Sequence, residues 1–272
     1  CRANGEEIIR LIREMEKEHT KVMVFPELCI TGYTCQDLFL QRRLLDSAWE
    51  TLMRIAAETA DVDALIFLGV PVRNKGKLYN VAAVLNRGEI LGLVPKSYLP
   101  NYGEFYEQRH FVSGLGCLEF MSINGKKIPF GTNLLFVCEE LQELIVAAEI
   151  CEDLWVNMPP SVIHAQAGAN LIVNLSASNE MVGKDSYRRS LVSGQSARLV
   201  CGYVYANAGE GESTQDLVFG GQNMIAENGS ILAEGKRFKN GIVYSEIDVQ
   251  RLNDERKRLT TWQSCEDSDH LR

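Results

Sequence analysis

Three side chains that together could cleave an amide follow short apolar segments of the sequence. Glu27 comes directly after residues 22–25, Lys96 follows an apolar stretch, and Cys151 comes shortly after residues 144–148. A cysteine thiolate is a nucleophile, although a free thiol with a pKa of about 8.5 is only partly ionised at neutral pH. A carboxylate can take up the thiol proton and later activate water. An ammonium group can lower the thiol pKa and, with a backbone N–H just after the cysteine, stabilise the tetrahedral oxyanion.

Each of these residues, taken alone, has an ordinary structural explanation. A lone cysteine at the end of an apolar run is more often a buried thiol than a nucleophile, and glutamate and lysine are common at protein surfaces. Glu27 and Lys96, however, stand between proline-marked breaks and apolar strands rather than on charged helical faces. That shared context favours a joint site with Cys151, and this site would need no histidine.

Helical and strand patterns alternate along the chain, which is typical of α/β layering. Apolar residues at a spacing of three and four predict helices, and short apolar runs predict strands. The predicted helices cover residues 6–19, 44–56, 160–166 and 184–200, and the predicted strands cover residues 22–25, 64–70, 134–138, 144–148, 170–175, 201–206 and 241–247, with hairpins at 81–94 and 221–233. A parallel-type sheet would collect the ends that carry Glu27, Lys96 and Cys151 on one edge.

Three segments depart from this alternation. Residues 97–116 are rich in Tyr, Phe, Asn, Pro and Gly, a composition that predicts a loop lining a site. From residue 248 onward the sequence is polar and charged, which predicts a surface helix or a linker. Because the chain opens on a helix that leads into a strand, we also expect that the first strand of such a fold is missing.

The bulk composition narrows the class of protein. The chain has 272 residues, of which 46% are hydrophobic and 24% charged, as in ordinary globular proteins. A formal net charge of −8 argues against nucleic-acid or anionic-membrane partners. No run of about 20 apolar residues or signal-peptide layout is present. The eight scattered cysteines form no CxxC pair, so we expect reduced thiols, no metal site and a cytoplasmic location.

Three motifs resemble those of the nitrilase superfamily. They are FPEL at residues 25–28, PKSYLP at 95–100 and EICEDLW at 149–155, in the order Glu, Lys, Cys. Members of that superfamily are four-layer α-β-β-α sandwiches that cleave C–N bonds through a thioester. Within it, the resemblance is closest to the glutamine-hydrolysing domains of glutamine-dependent NAD synthetases, with further support from residues 174–178 and 203–221.

The resemblance implies a role for each matching residue. Glu27 would be the general base, Lys96 the cation that stabilises the intermediate, and Cys151 the nucleophile. Glu104 matches the second glutamate that many nitrilases place beside the lysine, although Glu107 is close enough in sequence to compete. The residues expected to contact glutamine are Tyr102, Phe105, Glu152 and Ser178, with Tyr33 at the entrance of the pocket. A carboxylate such as that of Glu152 suits the ammonium group of a free amino acid.

The resemblance also sets expectations about partners and cofactors. Residues 1–247 would form the amidohydrolase domain and residues 248–272 would lead toward a synthetase domain of the same polypeptide. No SGGxDS phosphate loop occurs in the chain, so ligase activity is not expected from it alone. ATP and magnesium would belong to the synthetase domain, and this domain would need L-glutamine and no cofactor. A homo-oligomer is expected.

Three other functions fit parts of the same pattern. A free-standing amidase or carbamoylase would use the same chemistry on another substrate. A non-catalytic interaction module would keep the fold around an idle site. A papain-like Cys–His enzyme would need His110 or His164, and it ranks low because neither histidine lies at a strand end.

Overall fold

The computed structural model describes residues 1–214, 216–262 and 269–272, and in them two six-stranded sheets pack face to face between helices. One apolar cluster fills the space between the sheets, and two others lie between each sheet and its outer helices. The structure therefore has the four layers α-β-β-α that the resemblance implied.

The first sheet is mixed: the pairs β1–β2 and β4–β6 are parallel, and the other neighbouring strands are antiparallel. Its strands are β1 (Val22–Val24), β2 (Leu65–Asn74), β3 (Lys77–Asn86), β4 (Glu89–Pro95), β5 (Leu118–Ile123) and β6 (Lys126–Gly131), in the order β1-β2-β3-β4-β6-β5. β1 runs parallel to β2, whereas β2, β3 and β4 alternate in direction. β1 and β4 consequently end on the same edge of the sheet, where Glu27 and Lys96 follow them.

The second sheet contains three parallel strands at its centre. Its strands are β7 (Phe136–Val137), β8 (Ile145–Ile150), β9 (Leu171–Ser176), β10 (Gly202–Asn207), β11 (Met224–Glu227) and β12 (Ser230–Glu234), in the order β12-β11-β10-β9-β8-β7. β8, β9 and β10 are parallel. All six side chains of β9 are buried because both faces of the sheet are covered. Leu171 and Val173 face the first sheet, and Ile172 faces the outer helices.

The helices cover the outer faces of the sheets. α1 (Arg2–Lys17) and α2 (Arg42–Glu58) pack on the first sheet, whereas α3 (Pro160–Gln166) and α4 (Lys184–Leu199) pack on the second. A fifth helix, α5 (Val249–Arg258), lies where the sequence predicted a surface helix or a linker, and it buries Leu252 and Arg256. No helix among the described residues is both long and apolar enough to cross a membrane.

Two sequence predictions about elements are wrong, and one hairpin was not predicted. The three reactive residues do not share one parallel edge, because Cys151 follows β8 in the second sheet. Residues 241–247 form no strand; Ile242 and Ile247 instead pack, partly buried, against two of the apolar clusters. The β5–β6 hairpin was overlooked, although Asn124 and Gly125 have positive φ values of 49° and 79° and form a turn that the Asn-Gly pair favours.

Candidate active site

A close backbone crossing places Glu27 over the first sheet. After β1 the chain turns across β2 at Gly69, where an added Cβ atom would lie only 2.1 Å from the backbone N of Leu28. Only glycine leaves room for that approach. The crossing carries the Glu27 side chain toward β3 and β4.

The Glu27 carboxylate is buried and fully engaged by donors. Its Oε1 accepts hydrogen bonds from Asn80 Nδ2 at 2.6 Å and from Lys96 Nζ at 2.7 Å. Its Oε2 accepts from the backbone N of Ala177 at 2.9 Å, a residue that follows β9 in the second sheet. Glu27 therefore joins the ends of both sheets in one site.

Lys96 lies between two carboxylates. Its Nζ donates to Glu27 Oε1 at 2.7 Å and to Glu107 Oε1 at 2.6 Å, and its side chain is completely buried. Burial alone would lower the pKa of Lys96, but the charges of Glu107 and Glu27 raise it well above its usual value. Lys96 is thus a fixed cation at the centre of the site.

The glutamate beside Lys96 is Glu107 and not Glu104. Glu107 begins a short 3-10 helix, Glu107–Arg109, and it is buried, with its Oε1 also accepting from Tyr33 Oη at 2.8 Å. Glu104 instead accepts a hydrogen bond from Asn179 Nδ2. In an irregular loop the sequence spacing does not determine which side chains point inward. Here the turn that begins at residue 107 directs Glu107, and not Glu104, toward Lys96.

Burial and the two neighbouring charges shift the pKa of Glu107 in different directions. Burial raises its pKa, Lys96 lowers it and Glu27 raises it further, with a net value of about 7. Among the described residues, its second oxygen, Oε2, has no hydrogen-bond partner. Tyr33, expected at the pocket entrance, is 9% exposed and donates its hydroxyl to Glu107, and its backbone N donates to Glu212 Oε1 at 3.0 Å.

Cys151 stands at a sharp turn where β8 ends. Its φ of 44° lies in the left-handed region that disfavours residues with a side chain, and its backbone N donates to Asn174 Oδ1 at 3.1 Å. Cys151 as a whole residue is 6% exposed. Burial and the charge of Glu27 raise the pKa of Cys151, whereas Lys96 and a hydrogen bond from the Ala177 backbone lower it. The net shift is upward, so the resting group is the neutral thiol.

Asp153 is a site residue that sequence reasoning missed. Its Oδ2 accepts from the backbone N of Ile150 at 2.9 Å, and its Oδ1 accepts from the backbone N of Tyr98 at 2.8 Å. The carboxylate therefore ties the turn that carries Cys151 to the loop that follows Lys96. Asp153 lies two residues after the cysteine, in the motif from which only Glu152 was singled out as a substrate contact. That position was the sequence signal that could have identified it.

A wall of partly exposed side chains adjoins these buried groups. Tyr102 Oη donates to Glu152 Oε1 at 2.8 Å, and the rings of Tyr102 and Phe105 pack edge to face with centroids 6.2 Å apart. Tyr102 is 60% exposed, whereas Phe105 is buried. The structure thus brings together three of the residues expected to contact substrate.

Lys184, at the start of α4, completes the wall and was not predicted. Its ammonium lies 5.7 Å from the ring centroid of Phe105 and 5.1 Å from that of Trp155. Burial lowers the pKa of Lys184, and the nearby Cys151 and Glu152 oppose that shift. A half-buried cation therefore faces the same space as Glu152. Its position in a polar helix N-terminus carried no distinguishing signal.

Ser178 is buried, and its polar groups are held by neighbours. Its backbone N donates to Asn207 Oδ1 at 2.8 Å, and its Oγ accepts from Arg188 Nε at 3.3 Å. The histidines that a papain-like enzyme would use have other partners: His110 contacts Asp37 and His164 contacts His270. Within residues 1–214, 216–262 and 269–272, no three His, Cys, Asp or Glu side chains gather as metal ligands do.

Comparisons with known proteins identify relatives of this chain. Residues 2–257 match the model of the carbon-nitrogen hydrolase family. The chain is 43% identical over 262 residues to a glutamine-dependent NAD(+) synthetase of Mycobacterium tuberculosis, covering 96% of this chain and 39% of that protein. It is 33% identical over 258 residues to one of Aquifex aeolicus, covering 94% and 41%.

A solved structure gives the same result. The crystal structure of a glutamine-dependent NAD(+) synthetase from Cytophaga hutchinsonii superimposes with a TM-score of 0.77 at 34% identity, covering 86% of this chain and 38% of that one. The chain spans about two fifths of the length of the curated relatives it matches. The match to the family model extends over both sheets and includes Glu27, Lys96 and Cys151. This chain belongs to the carbon-nitrogen hydrolase family.

Proposed function

We propose that this chain is a glutamine amidohydrolase that releases ammonia through a thioester on Cys151. The observation that carries the proposal is the buried Lys96 ammonium, held by Glu27 and Glu107 and electrostatically coupled to the Cys151 thiol. A nucleophile, a proton acceptor and a fixed cation in one buried site are the parts that amide cleavage requires.

In the first half of the reaction, Cys151 Sγ attacks the side-chain carboxamide carbon of glutamine. The thiol proton passes to Glu27, whose carboxylate can act as the general base; its charge is one of the influences that raise the pKa of Cys151. Negative charge develops on the carboxamide oxygen, and Lys96 stabilises it together with a backbone N–H after the cysteine. The C–N bond then breaks, and the leaving nitrogen takes the proton from Glu27 and departs as ammonia.

In the second half, water hydrolyses the thioester. Glu27 accepts a proton from the water as its oxygen bonds to the acyl carbon, and the carbon–sulfur bond breaks to give glutamate. The proton returns to the Cys151 sulfur. Lys96 keeps its charge throughout, since two carboxylates raise its pKa.

The pocket wall suits a free amino acid. Glu152 offers a carboxylate for the α-ammonium group, and Lys184 offers a cation for the α-carboxylate. Tyr102 and Phe105 supply apolar walls that restrict water around the thioester. Two opposite charges on one wall favour glutamine over a neutral amide.

We further propose that the ammonia is used by a synthetase domain of the same polypeptide to amidate deamido-NAD. Support comes from the names of the relatives and from the share of their length that this chain covers. In this scheme ATP and magnesium bind only that synthetase domain. A cytoplasmic location and a homo-oligomeric assembly are part of the same proposal.

The test measures ammonia released from glutamine by the chain, by Cys151→Ala and by Cys138→Ala. We expect release by the chain and by Cys138→Ala, and none above background by Cys151→Ala. Equal release by wild type and Cys151→Ala would contradict the proposal. A panel of amides in which glutamine is the poorest substrate would favour a free-standing amidase or carbamoylase instead.

A further inference from the structure

A buried chain of hydrogen bonds lies behind Cys151, formed by Glu149, Tyr203 and Asn174. All three are buried, with exposures of 1%, 0% and 0%. Tyr203 Oη donates to Glu149 Oε1, Asn174 Nδ2 donates to Tyr203 Oη at 3.2 Å, and Cys151 N donates to Asn174 Oδ1 at 3.1 Å. None of the three takes a step in the reaction proposed above.

The groups at the two ends of this series of hydrogen bonds determine which atom donates and which accepts in each bond. A backbone N–H can only donate, so Cys151 requires the oxygen of the Asn174 amide and not its nitrogen. Ser176 Oγ donates to the same oxygen at 2.6 Å. The Asn174 amide nitrogen must then point to Tyr203, whose hydroxyl oxygen accepts and whose proton turns to Glu149.

At the far end, the Glu149 carboxylate can only accept. Its Oε2 accepts from the backbone N of Ser161 at 3.0 Å, and its Oε1 accepts from Tyr203. Burial raises the pKa of Glu149, and the donations from Tyr203 and Ser161 counteract that shift. An acceptor-only end therefore fixes the hydroxyl proton of Tyr203, and through it the orientation of the Asn174 amide.

We propose that Glu149 is a positioning residue, which acts through Tyr203 and Asn174 to hold the backbone of Cys151 in its catalytic orientation. This proposal rests on the proposed function. Cys151 has a positive φ of 44°, and a strained conformation persists only when its surroundings over-determine it. The acceptor on Asn174 supplies that restraint from the second sheet.

Substitution of Glu149 by glutamine has a specific predicted consequence. The N–H of Ser161 is a fixed donor, so the glutamine oxygen must face it and the glutamine NH2 must face Tyr203. The Tyr203 proton then turns to Asn174, whose amide flips to accept it. The flipped amide presents NH2 to the Cys151 N–H, and two donors meet where one hydrogen bond stood.

Removal of the Tyr203 hydroxyl should interrupt this transmission. In Tyr203→Phe no hydroxyl connects Glu149 to Asn174. The Asn174 amide can then still accept from the Cys151 backbone N–H, but its orientation is less restrained. We expect Glu149→Gln to lower kcat about 10- to 100-fold, since small displacements of reacting groups have effects of that size. Tyr203→Phe should lower kcat less. The double variant should match Tyr203→Phe and so be more active than Glu149→Gln alone.

The experiment measures kcat and KM for glutamine on the chain, both single variants, the double variant and Glu227→Gln. Glu227 is a buried carboxylate on β11 that accepts from the Asp248 backbone N, so its variant controls for loss of buried charge and should keep kcat. Unchanged KM with rescue in the double variant supports the proposal. A double variant worse than both single variants would overturn it, as would wild-type kcat in Tyr203→Phe.

A second readout separates this proposal from the proposed function. Iodoacetamide alkylation of Cys151, followed by mass spectrometry of its peptide, reports the geometry of the thiol without glutamine. If wild type releases no ammonia, the proposed function fails, but the order of alkylation rates still tests Glu149. Slower alkylation in Glu149→Gln than in the double variant supports the role; equal rates in all variants contradict it.

Discussion

Lys96 Nζ lies 2.6 Å from Glu107 Oε1, so the cation of the site is shared by Glu107 as closely as by Glu27 at 2.7 Å. The loop between Lys96 and Glu107 therefore closes back on the strand end from which it started. When both carboxylates are ionised, they leave a net negative charge around the one ammonium, and burial makes that charge costly unless each partner stays in place.

Glu107→Gln should lower kcat for ammonia release by about 100-fold, because Lys96 loses one of its two carboxylates and shifts toward the other. Glu104→Gln is the matched control, three residues away in the same loop. It should mainly raise KM, since Glu104 contacts Asn179 near the pocket. Steady-state kinetics of both variants show which glutamate supports Lys96 in the reaction. A larger kcat loss in Glu104→Gln than in Glu107→Gln would assign that role to Glu104.

The stability difference between wild type and Glu107→Gln should depend on pH. The folded pKa of Glu107 is about 7, above the ordinary value of about 4.3. The folded protein therefore holds a proton that the unfolded chain has lost, and wild type loses stability as pH rises between these values. The free energy of unfolding should shift in favour of the variant by at most about 1.4 kcal/mol per pH unit.

Denaturant unfolding at several pH values measures this difference. The trend should end above about pH 7, where Glu107 is ionised in both states. A difference that stays constant between about pH 4 and about pH 7 would show that Glu107 has an ordinary pKa in the folded protein.

Gly69→Ala should damage both stability and activity. The added Cβ would lie 2.1 Å from Leu28 N, so the crossing must move and carry Glu27 away from Lys96. We expect a loss of about 1 to 3 kcal/mol in unfolding free energy, as in other overpacked sites, with a fall in kcat. Thermal unfolding and ammonia assays measure the two effects.

Gly194→Ala is the control for this substitution. Gly194 is an exposed residue inside α4, and an added Cβ meets nothing within 4 Å. Alanine there should stabilise the protein by about 0.8 kcal/mol and leave activity unchanged. If both alanine variants behaved alike, the close crossing at Gly69 would not be what positions Glu27.

Lys184→Gln should raise KM for glutamine with little change in kcat, because Lys184 faces the pocket wall and not the reacting bond. Glu152→Gln should act in the same way on the other charged group. A neutral amide without an α-carboxylate should lose no affinity in Lys184→Gln. A kcat loss with unchanged KM would instead mean that Lys184 acts on the chemistry.

The sequence alone identified Glu27, Lys96 and Cys151 as residues at strand ends, and the structure places them in one site. Those inferences succeeded because strand periodicity and proline breaks are local signals that the chain itself carries. Most helices and strands were predicted for the same reason. Residues 241–247 show the limit, since an apolar pattern forms a strand only where a partner strand is available.

Tertiary structure alone decided how the site is assembled. The packing of two sheets, and not one parallel edge, brings Cys151 to Glu27, with Ala177 between them. The choice of Glu107 over Glu104 depends on a turn in an irregular loop. The contacts made by Lys184 join residues far apart in the chain. Within a helix or strand, sequence spacing specifies the face to which each side chain points. In loops and between sheets, only the packed structure determines which side chains meet.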